Sequence, residues 1–254
     1  HEYYQEDARQ NFQHNHHLAI KKPCLLPRML IFFEAFYLLL QILEVVLMKA
    51  LIACETSGTV RNAFLDRGHD AWSCDVLPSD DLTNRHIQDD VLEVLKMESW
   101  DMLMVAHPPC TRLCNSGVRW LHKAPPGKTL TEMWEQLDQG AELFSKLWNS
   151  DVPKVAIENP VMHKYAKARI KNFEPFTQSV QPYEFADSID AEDNISKRTC
   201  LWLRNLPPLI KTGTLTRETA RHDIHNASPG KDRWKVRSKF HKGIAEAMAD
   251  QWGK

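Results

Sequence analysis

Disulfide spacing is missing from this chain. Its six cysteines, Cys24, Cys54, Cys74, Cys110, Cys114 and Cys200, are scattered, and 254 residues can build a core without staples, so reduced thiols are expected. Cys110 and Cys114 lie close to His107 and His122 but have no second cysteine pair of matching spacing, which excludes the usual structural zinc pattern. No histidine is followed two residues later by glutamate, so the H-x-E element of zinc-dependent base deaminases is absent too. No metal is expected. Internal repeats are lacking, and so is a bilayer-length apolar run free of charge. Leu25 to Leu47 comes nearest but is interrupted by Pro27, Arg28, Glu34, Gln41 and Glu44. Each glutamate near a bilayer centre would cost about 2.5–3.5 kcal/mol. A long polar lead without a small-residue cleavage site also argues against a signal peptide. The expectation is a cytoplasmic protein without a membrane partner.

Residues 1–47 contain none of the 9 glycines and none of the 8 tryptophans, and they open with a polar, histidine-rich stretch. They read as a disordered or helical extension, or as translated upstream sequence. The second reading has a basis in the code: Leu43-Glu44-Val45 can be encoded with GGAGG just ahead of the Met48 codon, where a bacterial ribosome-binding site would lie. The working protein is then expected to begin at Met48. Composition beyond that point is ordinary, and the length fits one α/β domain. Net charge is -1, but residues 197–254 hold 13 Lys and Arg against 5 Asp and Glu, while residues 48–196 hold 15 against 23. A basic tail beside an acidic middle suggests an anionic partner such as nucleic acid, or else only a solvated surface.

From Met48 the pattern alternates. Lys49 to Cys54 reads as a strand, Gly58 to Arg67 as a helix, Asp70 to Asp75 as a strand and Asp90 to Met97 as a short helix. Alternation of this kind marks a parallel sheet. Leu130, Met133, Trp134, Leu137, Ala141, Phe144 and Trp148 fall on one helical face. A helix is expected after Pro160 through Tyr165 and Ile170, strands over Val180 to Phe185 and Cys200 to Leu203, and a last helix from Phe240 to Trp252.

Two strand ends carry the chemistry. Met102 to Ala106 runs into His107-Pro108-Pro109-Cys110, and Lys154 to Ile157 runs into Glu158-Asn159-Pro160. Open α/β sheets bind ligands at the carboxyl ends of their strands, so Cys110 and Glu158 would meet in one crevice if those strands are neighbours. A thiol is a soft nucleophile suited to an unactivated ring, and a carboxylic acid opposite can donate to a ring nitrogen. An inert buried cysteine and a helix-capping glutamate are the alternatives.

These residues resemble the DNA cytosine-5 methyltransferases, in particular the short members found in phage and prophage genomes, over Met48 to about Trp252. Pro108-Pro109-Cys110 is similar to that family's Pro-Pro-Cys and Glu158-Asn159 to its Glu-Asn pair. The resemblance implies a Rossmann-like methyltransferase fold, a mostly parallel sheet with helices on both faces, using S-adenosylmethionine. It implies Cys110 as nucleophile at C6 of cytosine, Glu158 as the acid at N3, and Asn159 and Arg198 as further catalytic residues. Cys54, Glu55, Ser57 and Gly58, in the first loop, would hold the methionine end of the cofactor. Asp75 would take the ribose hydroxyls, Asp90 would lie near the adenine, and Pro108 would border the same pocket. The target base of double-stranded DNA would have to flip out. Glu55 stands where a glycine is usual, and Thr111 and Pro160 replace the usual Gln and Val.

The implied organisation is a catalytic core over 48–199, a short recognition region over 200–235 and a C-terminal helix over 236–254 that closes the core. So short a recognition region leaves room for an accessory recognition protein. A monomer is expected. Lys231, Arg233, Lys235, Arg237 and Lys239 recur at every second position, which in an extended segment lines five cations along one side for phosphates. Two other functions compete: a catalytically silent nucleic-acid-binding relative, and a methyltransferase acting on RNA or a free cytosine nucleotide.

Overall fold

The computed structural model describes residues 47–222 and 240–254. Residues 1–46, and with them the proposed extension, lie outside the described residues, as do 223–239 with the lysine and arginine ladder.

Seven strands make one sheet in the order β3-β2-β1-β4-β5-β7-β6. They are β1 (Lys49–Ala53), β2 (Asp70–Asp75), β3 (His86–Gln88), β4 (Met102–Val105), β5 (Lys154–Asn159), β6 (Gln178–Val180) and β7 (Thr199–Arg204). Strands β1 to β5 pair in parallel, whereas β7 runs antiparallel to both β5 and β6. The protein is thus α/β with a mostly parallel sheet. Its helices are α1 (Thr59–Leu65), α2 (Val91–Met97), α3 (Leu130–Trp148), α4 (Lys164–Lys167) and α5 (Lys242–Trp252).

The central strands are near-continuous apolar runs because both their faces are covered. Ala50, Ile52, Met102, Met104, Ala156, Leu201 and Leu203 share one core with Phe64 of α1 and Ile244, Met248 and Trp252 of α5. The alternate residues turn to the other face, where Trp202 meets Phe144 of α3 edge to face at 5.4 Å. Burying side chains such as Ile244 and Met248 is worth about 1.5–3 kcal/mol each, which is what holds the eleven-residue α5 to the sheet. A capping box starts α3: Thr129 accepts from the Glu132 amide while Glu132 accepts from the Thr129 amide. Its buried stripe is narrower than the sequence face, since Leu130 is exposed and Trp134 only half-buried.

Several expectations need correction. Val180 to Phe185 is not one strand, because β6 ends at Val180 and Pro182–Phe185 forms a 3-10 turn. Pro182 has no N–H to give a ladder. The helix after Pro160 is a single turn, α4. The short β3 and a 3-10 turn at Val118–Leu121 carry no periodic signal long enough to read. Cys200 to Leu203 sits inside the sheet as part of β7. Leu206 and Leu209 are buried as well. No helix among the described residues is long and apolar enough to cross a membrane.

Candidate active site

Register brings the strand ends level. Ala53 pairs with Val105 and Val105 with Ile157, so Cys54, Ala106 and Glu158 stand at the same height, Glu158 still paired with Leu201 of β7. The sharp turn out of β1 puts Cys54 in the left-handed region, at φ 56. Four residues on, Gly58 holds φ 68 as the residue before α1, and a Cβ there would stand 2.2 Å from the Arg61 guanidinium. Between them Glu55 is fully buried and turned inward. Its carboxylate accepts from the amides of Val60 (2.7 Å) and Arg61 (3.2 Å) and from the Ser57 hydroxyl (3.3 Å). Glu55 therefore caps α1 from within and does not face a ligand, contrary to the role implied for it. Burial raises it to about 6 against the pull of those amides. Ser57 is likewise engaged, with Glu55 and with Thr59 at 3.0 Å.

Asp75 and Asp90 do gather near this loop. Both raise the Cys54 thiol electrostatically, after the larger effect of its burial. Asp75 Oδ1 accepts from the Leu77 amide at 2.9 Å, and Oδ2 accepts no hydrogen bond among the described residues. Asp90 is the N-cap of α2, with Oδ1 accepting from the Leu92 amide at 2.8 Å. Asp75 is the freer of the two.

The ends of β4 and β5 lie side by side, and Pro108, buried, stiffens the exit from β4. Cys110 is half-buried and opens a helical turn, its carbonyl accepting from the amides of Leu113 (2.9 Å) and Cys114 (3.0 Å). That turn is clamped to the β5 end: Asn115 donates to the Val161 carbonyl (3.0 Å), His163 N–H to the Leu113 carbonyl (3.0 Å), and Cys114 bridges Met162. Gly117 is indispensable here, since a Cβ would lie 1.7 Å from the Thr111 carbonyl.

Glu158 is 7% exposed, and no described residue hydrogen-bonds its carboxyl. Burial raises it to about 7, with Lys197 pulling it down and Cys114 pushing it up. Asn159 donates to the Pro160 carbonyl at 2.7 Å, while its buried Oδ1 has no partner among the described residues. His107, Glu158, Lys197, Phe240 and His241 line a narrow cleft that, as it stands, has no room for a water molecule. A ring can enter only if one of these walls shifts. His107 is lowered to about 3, first by burial and then by the Lys197 and His241 charges, so it is a neutral imidazole. Its Nε2 is buried with no hydrogen-bond partner among the described residues.

Arg198 is exposed, bonds Ser179 Oγ at 3.1 Å and lies over the Phe176 ring. Lys197, its neighbour, faces the carboxyl. Asp193 and His241 were not anticipated. Asp193 Oδ1 lies 3.1 Å from His241 Nδ1 and Oδ2 accepts from the Gly243 amide at 2.6 Å, tying the acidic loop before β7 to the start of α5. The expected free Cys110 thiolate also changes. A bond from Cys114 first, then burial, then the Glu158 charge hold Cys110 above the usual thiol range. The same bond, against the opposing effect of burial and with help from Ser116, lowers Cys114 to about 5. A cysteine one helical turn after Cys110 was the available signal.

No protein-family model matches the chain, and no curated protein matches it. Among the described residues no three His, Cys, Asp or Glu side chains are grouped to hold a metal ion.

Proposed function

We propose that this chain is an S-adenosylmethionine-dependent methyltransferase acting on C5 of cytosine in DNA. The observation that carries the reading is the Glu158 carboxyl, buried with no hydrogen bond among the described residues and raised to about 7, one strand away from the Cys110 turn. A carboxylic acid kept neutral near pH 7 has a proton to give, and burial without a protein partner is costly unless a ligand supplies one. The mostly parallel sheet with one reversed strand fits the methyltransferase variant of the Rossmann fold.

The cofactor region fits a ligand of this kind. Asp75 Oδ2 at the end of β2 is placed for ribose hydroxyls, with Asp90 and the Cys54–Gly58 turn beside it. Glu55 already satisfies the amides at the head of α1, which in a dinucleotide fold would hold pyrophosphate. S-adenosylmethionine brings no phosphate, and it would supply the methyl group. The chain's own groups do the rest. The Cys110 thiol loses its proton to solvent as its sulfur adds to C6 while Glu158 gives its proton to N3, so that electron density collects at C5. After methylation the C5 proton passes to water, the C5–C6 double bond re-forms as the C6–sulfur bond breaks, N3 returns its proton to Glu158, and Cys110 is reprotonated from solvent. Lys197 sits against Glu158 and offsets the carboxylate charge that forms. Phosphate contacts are assigned to the ladder from Lys231 to Lys239.

Labelled-methyl transfer to cytosine-containing duplex DNA, with RNA and dCMP as competitors, tests the reading. Transfer should be lost in Cys110→Ala. Full activity in that variant would refute the mechanism, and DNA binding without saturable S-adenosylmethionine binding would point to a silent relative.

A further inference from the structure

We propose that the surface beside the Cys110 turn, made by residues 111–128 and 160–171, is a face that takes the phosphate backbone of DNA. The inference rests on the reading of DNA as substrate and adds where the strand lies, but it does not depend on the chemistry at Cys110.

Charge is segregated here. Residues 48–196 hold 15 Lys and Arg against 23 Asp and Glu, yet these two segments hold eight Lys and Arg and no Asp or Glu. Arg112, Arg119, Lys123 and Lys128 belong to the first, and Lys164, Lys167, Arg169 and Lys171 to the second. Folding brings the segments together. The Asn115 amide donates to the Val161 carbonyl, the His163 amide to the Leu113 carbonyl, and His163 Nε2 to the Arg112 carbonyl at 2.6 Å. Further along, the His122 and Tyr165 rings stand 5.8 Å apart. Arg112 is half-buried and the other seven cations are exposed.

Most of these charges lack an acid. Lys128 pairs with Glu132 and Arg169 with Asp138, both on α3, and the other six have no carboxylate partner among the described residues. Elsewhere on the described surface Lys49, Arg67, Arg85, Lys96 and Lys211 are each held by an acid. Like charges gathered without partners repel one another, and a polyanion relieves that repulsion while releasing its own counterions. Two of the cations are held in place by rings: Arg119 lies over Trp120 at 4.5 Å and Lys164 over Tyr165 at 5.1 Å. The first segment begins directly after Cys110 and the second directly after Glu158-Asn159. A backbone crossing this face therefore passes beside both strand ends that carry the reactive groups. Cations spread over two segments suit an evenly repeated charge such as a row of phosphates.

Fluorescence anisotropy of a labelled DNA duplex titrated with the full chain over a range of salt tests this without cofactor. Arg119→Ala with Lys123→Ala, and Lys164→Ala with Lys167→Ala, should each weaken binding about tenfold at physiological salt and make the fall of log affinity with log salt shallower by about 2. Lys96→Ala, which removes an exposed cation from α2, should change neither. A native chain that does not bind DNA, or double variants with unchanged affinity and slope, would overturn the proposal. So would tighter binding of polyglutamate than of DNA, which would make this a face for an acidic protein. Cytosine methylation by the native chain, with DNA binding intact in both double variants, would sink this inference alone. DNA binding that follows the expected slopes in a chain that transfers no methyl group would sink the methyltransferase reading and leave the face standing.

Discussion

Glu55 and Glu158 are both buried carboxyls raised by desolvation, and their partners separate their roles. Glu158 titrates at about 4.5 when unfolded and about 7 when folded, so the fold favours its neutral form. The stability this confers is fully present below pH 4.5 and is lost as pH rises through 7, a difference on the order of 3 kcal/mol. Glu158→Gln should therefore raise the melting temperature at pH 8 and leave it nearly unchanged at pH 4, while abolishing methyl transfer. Scanning fluorimetry at the two pH values checks the first half. On the proposed mechanism, transfer by the native chain should decline above pH 7 as Glu158 ionises. Glu55 is raised less, to about 6, because two amides oppose its burial, so Glu55→Gln should change stability at pH 8 in the same direction as Glu158→Gln but by less. At this scale the sequence was partly legible. Cys110 and Glu158 stood at strand ends marked by proline, but Lys197 and Arg198 lie in the loop just ahead of β7, where no periodicity says which side chain turns toward the cleft. Lys197→Ala should cut transfer at least tenfold, whereas Arg198→Ala should leave it within about twofold.

Short elements place these groups, and two glycines decide whether they can form. Gly58 sits at positive φ beneath the Arg61 side chain, which is buried between Ser73 and Asp81. Gly58→Ala should lower stability by about 1–3 kcal/mol, read from urea unfolding, through both strain and the displaced guanidinium. Gly117 meets backbone instead of a movable side chain. Gly117→Ala has to push Thr111 aside, and with it the Cys110 turn, so transfer should fall at least tenfold even where the melting temperature holds. Long elements were visible beforehand for a simple reason. The period of α3 and the apolar runs of β1, β2, β4 and β5 extend over several residues, whereas β3, α4 and the turn at Pro182 last one turn or one pairing and owe their form to tertiary contacts.

At the scale of the molecule, the proposed cofactor can be told from a dinucleotide by the internal cap at Glu55. S-adenosylmethionine should raise the melting temperature of the native chain, and NAD should not, since the head of α1 has no amides left for its pyrophosphate. The order of strands has a different consequence, for synthesis. Strand β5 carries Glu158 yet has β7 as its outer neighbour, and β7 starts 40 residues after β5 ends. Until Thr199–Arg204 emerges, Lys154–Asn159 presents an open apolar edge of the kind that templates association between chains. The nascent protein is thus exposed to aggregation at the strand that bears its acid, and the reversed β7 is the segment that seals it.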